Sequence, residues 1–154
     1  MIKVLFICHG NICRSPLAEY VMRDKLEKCG LSDCVTVASA AVSREEIGNP
    51  VYPPMKRLME SIGLCCEGHH ARQMTLADYK EYDHVIAMDR SNLRLMERIC
   101  GGDPEKKISL LLSFAHRDDD VADPWYTRDF QATLRDVEEG CSALLSYLRE
   151  CLSL

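Results

Sequence analysis

The chain has 154 residues, 47% of them hydrophobic and 28% charged, which is enough for one domain, 1–154, with a real core. Its formal net charge of −5 argues against a general nucleic-acid binder, although a local basic site can sit on an acidic protein. No apolar run approaches the roughly 18 residues that span a bilayer, and the apolar start over residues 1–7 is too short for a signal peptide. The expectation is a cytoplasmic domain without a nucleic-acid or membrane partner. The nine cysteines, odd in number and irregularly spaced, fit a reducing compartment with free thiols. Cys29, Cys34, Cys141 and Cys151 read as small core residues. Cys65-Cys66 with His69-His70 is the nearest approach to a metal-ligand set, but adjacent ligands suit a tetrahedral site poorly. Neither a metal nor another cofactor is expected.

In chain order, the first element is a strand over residues 3–7. A helix follows, with Leu17, Val21, Met22, Leu26 and Cys29 on one face and Gly30 as its stop. Residues 35–38 form the second strand. Met55, Leu58, Met59 and Ile62 repeat at i, i+3, i+4 and i+7 and predict a helix that ends at Gly63. Thr75 and Asp78 have the spacing of a capping box for a short helix. The third strand covers residues 84–88. Asp89 or Ser91 then caps a helix carrying Leu93, Met96 and Ile99, with Gly101 as its stop. A fourth strand covers residues 108–111. The last and longest helix carries Phe130, Leu134, Val137, Cys141, Leu144 and Leu148 on one stripe. Turn chemistry marks loops at residues 39–49, 101–106 and 117–125.

The strands are nearly continuous apolar runs, as in strands covered on both faces. Alternation with helices implies an α/β fold: a doubly wound, four-stranded parallel sheet with helices on both faces. Such folds bind ligands at the carboxyl ends of their strands.

The end of strand one reads Cys8-His9-Gly10-Asn11-Ile12-Cys13-Arg14-Ser15-Pro16. A cysteine, five residues and an arginine at a strand-to-helix junction form a phosphate loop. Backbone N–H groups of such a loop can converge on a tetrahedral oxyanion, and the following helix points its positive end there. Gly10 allows a turn where a Cβ would interfere. Ser15 suits the helix cap and Pro16 the first helical position. Arg14 can grip two phosphate oxygens. The same field favours the thiolate form of Cys8, a nucleophile for phosphoryl transfer. The bare Cys-x5-Arg spacing recurs by chance; its setting is what makes it informative. A nucleotide-binding P-loop is excluded, because no Gly-Lys-Ser/Thr follows a Gly-rich run. Attack on a phosphate monoester requires an acid for the leaving group. Asp123 is the first candidate, because Pro124 stiffens its loop and Trp125 and Tyr126 flank it; Asp120 is the second, and Asp118 and Asp119 are close by.

The stretch from Val4 to Pro16 closely resembles the signature of the low-molecular-weight protein tyrosine phosphatases. The resemblance continues in Ser39-Ala40-Ala41, in His69-His70-Ala71-Arg72-Gln73-Met74-Thr75, in Ala87-Met88-Asp89 with Ser91-Asn92, and in Asp123-Pro124-Trp125-Tyr126. It implies hydrolysis of phosphotyrosine through a cysteinyl-phosphate intermediate. Cys8 would be the nucleophile, Arg14 the phosphate clamp, and Asp123 the general acid and later the base. The partners it implies are phosphotyrosine-containing proteins and a cognate tyrosine kinase. Asn11 would hold a strained backbone, Ser15 would donate to the thiolate, and Ser39 and His69 would orient Asn11. A one-residue slip would give the role of His69 to His70. Cys13 would trap an oxidised Cys8 as a disulfide, which would make the enzyme redox-regulated. One departure stands out: members often carry an aromatic near Glu45 as one wall of the cleft, and the run here is Arg44-Glu45-Glu46. His9 is expected at the substrate rim.

Three rivals follow from the same residues. An arsenate reductase on a similar scaffold needs two further cysteines just after strand three, where only Cys100 lies near. An inactive phosphate-binding scaffold fits poorly with Cys8, Arg14 and Asp123 all present. A phosphoarginine phosphatase would carry a hydroxyl where Ile12 stands; Ile12 instead gives the cleft an apolar wall opposite Trp125 and Tyr126, which suits a phosphotyrosine ring.

Overall fold

Val4, Leu5, Phe6 and Ile7 have no exposed surface, so the strand they form must be covered on both faces. A computed structural model describes residues 1–153 and puts this strand, β1 (Ile2–Cys8), inside a four-stranded parallel sheet. It lies between β2 (Val35–Ala41) and β3 (His84–Ala87), and β4 (Ile108–Leu110) completes the order β2-β1-β3-β4. Alternate side chains enter opposite cores. Val4, Phe6 and Cys8 face α1 (Arg14–Lys28), Met55 and Met59 of α2 (Pro53–Ser61), and α6 (Phe130–Cys151). Leu5 and Ile7 face Tyr79 of α3 (Leu76–Glu81) with Met96 and Cys100 of α4 (Arg90–Cys100). This is the expected doubly wound α/β architecture. Burial of each large apolar side chain contributes roughly 1.5–3 kcal/mol. Among the described residues no helix is long and apolar enough to cross a membrane.

Several boundaries differ from the expectation for physical reasons. β2 runs on to Ala41, because its pairing with β1 continues through Phe6–Ser39, Ile7–Ala40 and Cys8–Ala41; Ala41 also donates to the Arg72 carbonyl and accepts from Met74. Ser39 therefore sits inside a strand and not at the start of a loop. β4 stops at Leu110, where the chain tightens into a 3₁₀ turn over Leu111–Ala115 that buries Leu111 and Leu112. The loop at residues 117–125 ends in a single helical turn, α5 (Pro124–Thr127), capped by Asp123. Helix α1 begins at Arg14, with Cys13 as the cap residue and Pro16 third in the helix. Ser15 is therefore not a cap, and its hydroxyl is turned to the thiol of Cys8. Asp89, not Ser91, caps α4, accepting the Asn92 N–H. Gly101 ends that helix in the left-handed region, φ 72°. Cys141 is buried as expected, but Cys29 and Cys151 are exposed and Cys34 is only half-buried. Cys29 caps α1 and Cys151 ends α6, where each apolar stripe runs past its core.

Candidate active site

Phosphate-loop geometry starts from Cys8, the last residue of β1, which is nearly buried. Its Sγ accepts the N–H groups of Asn11 at 3.3 Å and Ser15 at 3.4 Å. The Ser15 hydroxyl oxygen lies 3.0 Å from the same sulfur and accepts Asn11 Nδ2 at 2.8 Å. Either atom of that contact can donate, and when Cys8 is a thiolate the donor is the hydroxyl. Asn11 adopts φ 61°, a left-handed conformation that Asn tolerates better than most side chains. Three bonds hold it there. Its carbonyl accepts His69 Nε2 at 2.8 Å, so that nitrogen carries the proton. Its side-chain oxygen accepts the Arg72 N–H at 3.2 Å, and its amide reaches Ser15. His70 points elsewhere, to the Gly48 carbonyl at 3.1 Å. Ser39 corrects the expectation: its hydroxyl donates to Glu19 Oε1 at 2.6 Å on α1, not to Asn11. Glu19 is buried and also takes Arg23 at 2.5 Å.

Arg14 is the junction of the site. Its buried guanidinium pairs through Nη1 with Asp89 at 2.9 Å and through Nη2 with Asp123 at 3.3 Å, and donates to the Val121 carbonyl at 3.2 Å. Burial pulls its pKa down, and the charges of Cys8, Asp123 and Asp89 outweigh that, so the net direction is upward. Asp123 accepts the Trp125 N–H at 3.0 Å through Oδ1 and turns Oδ2 to Arg14. Asp120 is held away by Arg90, through both its N–H and its guanidinium. Burial first, then the neighbouring charge of Cys8, pushes the Cys13 thiol up to about 12.

These groups floor a cleft of about 530 Å³. Ile12 lines it beside Cys13, and His9, Glu45 and Glu46 form one rim, with His9 Nε2 3.0 Å from Glu45 Oε2. A Cβ on Gly10 would come within 3.2 Å of Glu46 Cγ, so a side chain there would crowd the rim. Trp125 and Tyr126, both exposed, stand on the other side. Tyr52 braces that wall. Its ring meets Trp125 edge-on at 5.4 Å and stacks on Phe130 at 6.3 Å, and its N–H donates to the Ile12 carbonyl at 2.8 Å. Asp89, Glu19 and Tyr52 were not anticipated as site residues. Only Asp89 carries a readable signal: an acidic cap at the carboxyl end of a strand. Cys100 lies in the core on the other face of the sheet from Cys8. Among the described residues no cluster of His, Cys, Asp or Glu is arranged to hold a metal.

A parallel α/β sheet whose first strand ends in a cysteine ringed by loop N–H donors, beside a buried arginine and a carboxylate, defines an oxyanion-binding class of enzyme. The family model of low molecular weight phosphotyrosine protein phosphatase matches residues 3–153, and the chain belongs to that family of hydrolases. It is 36% identical over 152 residues to the low molecular weight protein-tyrosine-phosphatase YfkJ of Bacillus subtilis, covering 97% of each chain. Against the crystal structure of YfkJ the TM-score is 0.94, over 97% of this chain and 96% of that one. A rat low molecular weight phosphotyrosine protein phosphatase is 37% identical over 148 residues, 93% of each chain. The crystal structure of a Drosophila arginine phosphatase gives a TM-score of 0.88 at 31% identity, over 96% of this chain and 98% of that one.

Proposed function

We propose that this enzyme hydrolyses phosphotyrosine in proteins through a covalent phosphate on Cys8. The observation that carries the reading is the Cys8 sulfur, set among the Asn11 and Ser15 N–H groups beside the Arg14 guanidinium. A phosphate dianion entering the loop takes those N–H groups and Arg14 as donors. Its charge competes with Asp123 for Nη2 and releases that carboxyl toward the leaving oxygen. The Cys8 thiolate attacks phosphorus, the P–O bond to the tyrosine ring breaks, and Asp123 donates a proton to the departing phenoxide. Asp123, now a carboxylate, takes a proton from water as the water attacks the cysteinyl phosphate. Inorganic phosphate leaves, and the returning thiolate is stabilised by Ser15 and the loop N–H groups.

Ile12, Trp125 and Tyr126 offer apolar walls to an aryl ring, and a phosphoserine is too short to bring its phosphate to the floor between them. A tyrosine kinase would supply the substrates, and the nine free thiols suit a reducing cytoplasm. Phosphoarginine is the second reading, favoured by the Glu45 and Glu46 carboxylates on the rim. The test is kcat/KM on matched phosphotyrosine, phosphoarginine and phosphoserine peptides, with phosphotyrosine expected to be highest and phosphoserine lowest. A preference for phosphoarginine overturns the substrate assignment. Cys8→Ser should bind inorganic phosphate and turn nothing over, because a serine hydroxyl there is not ionised. Appreciable turnover by that variant would sink the covalent mechanism.

A further inference from the structure

The two residues that precede Asp123 have every backbone polar group committed to a partner. The Val121 N–H donates to the Met88 carbonyl at 2.9 Å, and its carbonyl accepts Arg14 at 3.2 Å. The Ala122 N–H donates to Asp136 Oδ2 at 2.9 Å, and its carbonyl accepts the Thr133 hydroxyl at 2.8 Å. The first pair of bonds ties the segment to the sheet and the phosphate loop. The second pair comes from α6, where Thr133 and Asp136 are three residues apart and so share a face.

Neither side chain is an incidental neighbour. Thr133 is fully buried, and its hydroxyl, 3.5 Å from the Asp129 carbonyl at the cap of its own helix, makes its shorter bond to the loop carbonyl of Ala122. Asp136 is mostly buried, and its second oxygen is held by Arg117 Nη1 at 3.0 Å. Arg117 also pairs with Glu139 at 3.2 Å and with Asp119. The Asp136 carboxylate is thus fixed from one side while it fixes the Ala122 N–H with the other. Ala122, the residue before Asp123, is gripped at both its N–H and its carbonyl by one face of a long helix.

We infer that Thr133 and Asp136 are positioning residues that aim the Asp123 carboxyl at the leaving-group oxygen. The inference rests on the role of Asp123 proposed above and extends it to side chains that do not line the cleft. Proton donation needs the acid within hydrogen-bond reach of that oxygen. Misplacement by about 1 Å can cost on the order of 10²-fold in rate.

The test is the dependence of kcat/KM on leaving group, measured with aryl phosphates from a strongly acidic nitrophenol to unsubstituted phenol. Thr133→Val removes the hydroxyl and keeps the shape, while Thr133→Ser restores the hydroxyl. Asp136→Ala removes the acceptor, while Asp136→Asn keeps an acceptor oxygen for the Ala122 N–H. Thr133→Val and Asp136→Ala are expected to lose about 10- to 100-fold with phenyl phosphate and little with the acidic nitrophenol, which needs no proton. The Ser and Asn variants should recover most of the loss, and competition by inorganic phosphate should stay near that of the parent. In an Asp123→Asn background neither change should cost anything more.

Equal losses across all leaving groups, or losses that multiply with Asp123→Asn, would assign Thr133 and Asp136 to general stability and overturn the inference. If Asp136→Ala does not fold, the Thr133 pair alone decides between these outcomes. A leaving-group dependence unchanged in Asp123→Asn itself would remove Asp123 as the acid, and this inference with it. A steep dependence in Asp123→Asn beside flat ones in Thr133→Val and Asp136→Ala would overturn this inference alone.

Discussion

Cys13 shares the phosphate loop with Cys8, and its chemistry is set by burial. A thiol raised to about 12 stays protonated at neutral pH and is a poor nucleophile. We propose that it acts only once peroxide has turned Cys8 into a sulfenic acid. In that proposal the Cys13 sulfur attacks the Cys8 sulfur, an S–S bond replaces the S–O bond, and water leaves. Mild peroxide is expected to give a loss of activity that a thiol reductant reverses, and Cys13→Ser should lose activity irreversibly. Closure should accelerate with pH, because only the thiolate of Cys13 attacks. Peptide mapping that finds Cys8 joined to another cysteine would contradict this pairing. At this scale the legible residues were those with local spacing: Cys8 and Arg14 by their interval, Asp123 by its neighbours Pro124 and Trp125. Tyr52 and Glu19 were illegible because their partners, Trp125 and Ser39, are remote in sequence. Ser39 was misread because a family pattern gives a position, and only packing decides which carboxylate or amide its hydroxyl meets.

Helix α6 shows how an element is specified by what it touches. Gly140 lies within this 22-residue helix, where alanine would favour the helical state by about 1 kcal/mol. A Cβ built there would stand 2.5 Å from Leu111 Cγ, and Leu111 is fully buried in the 3₁₀ turn. Overpacking of that kind costs roughly 1–3 kcal/mol. Gly140→Ala is therefore expected to lower Tm by a few degrees with kcat nearly unchanged, read by thermal unfolding. A variant at least as stable as the parent would show that Leu111 yields freely. The stripe from Phe130 to Leu148 was readable from its period. The close approach at Gly140 was not, because the turn it meets is 29 positions away. The same division holds for the strands. Continuous apolar runs mark where β1 and β3 lie. The extension of β2 past Ser39 depends on how far its pairing with β1 continues, to Cys8–Ala41, with Ala41 also bonded to residues 72 and 74.

At the scale of the whole molecule, two of the groups that titrate below neutral pH, Asp78 and His84, couple protons to folding with the same sign. Burial pushes the Asp78 carboxyl up, but bidentate bonds from Arg72 at 2.9 and 3.1 Å and the Thr75 N–H outweigh it, leaving it below the ordinary 3.8. Burial pulls His84 below its ordinary 6.5, against a smaller opposing effect of Asp83. In both cases the unfolded chain binds the proton more readily, so stability rises with pH over the affected range. The His84 contribution is complete above pH 6.5 and is lost as pH falls below it; the Asp78 contribution is complete above 3.8 and is lost at lower pH still. Urea midpoints against pH are expected to fall in those two stages, with His84→Gln flattening the first and Arg72→Gln the second. A midpoint that rises on acidification would refute the coupling. Parallel strands could be anticipated from their apolar runs, but the order β2-β1-β3-β4 could not, because several orders satisfy the same crossover rule. The Arg14 junction has a further consequence for how the protein is made. Its partners lie at positions 89, 121 and 123, and the helix that grips Ala122 also packs against α1. A polypeptide emerging from the ribosome exposes Cys8 and Arg14 first and the clamp last. With the roles proposed above, the nascent chain would carry its nucleophilic cysteine before its acid is aimed, and competence would arrive only once α6 has been made.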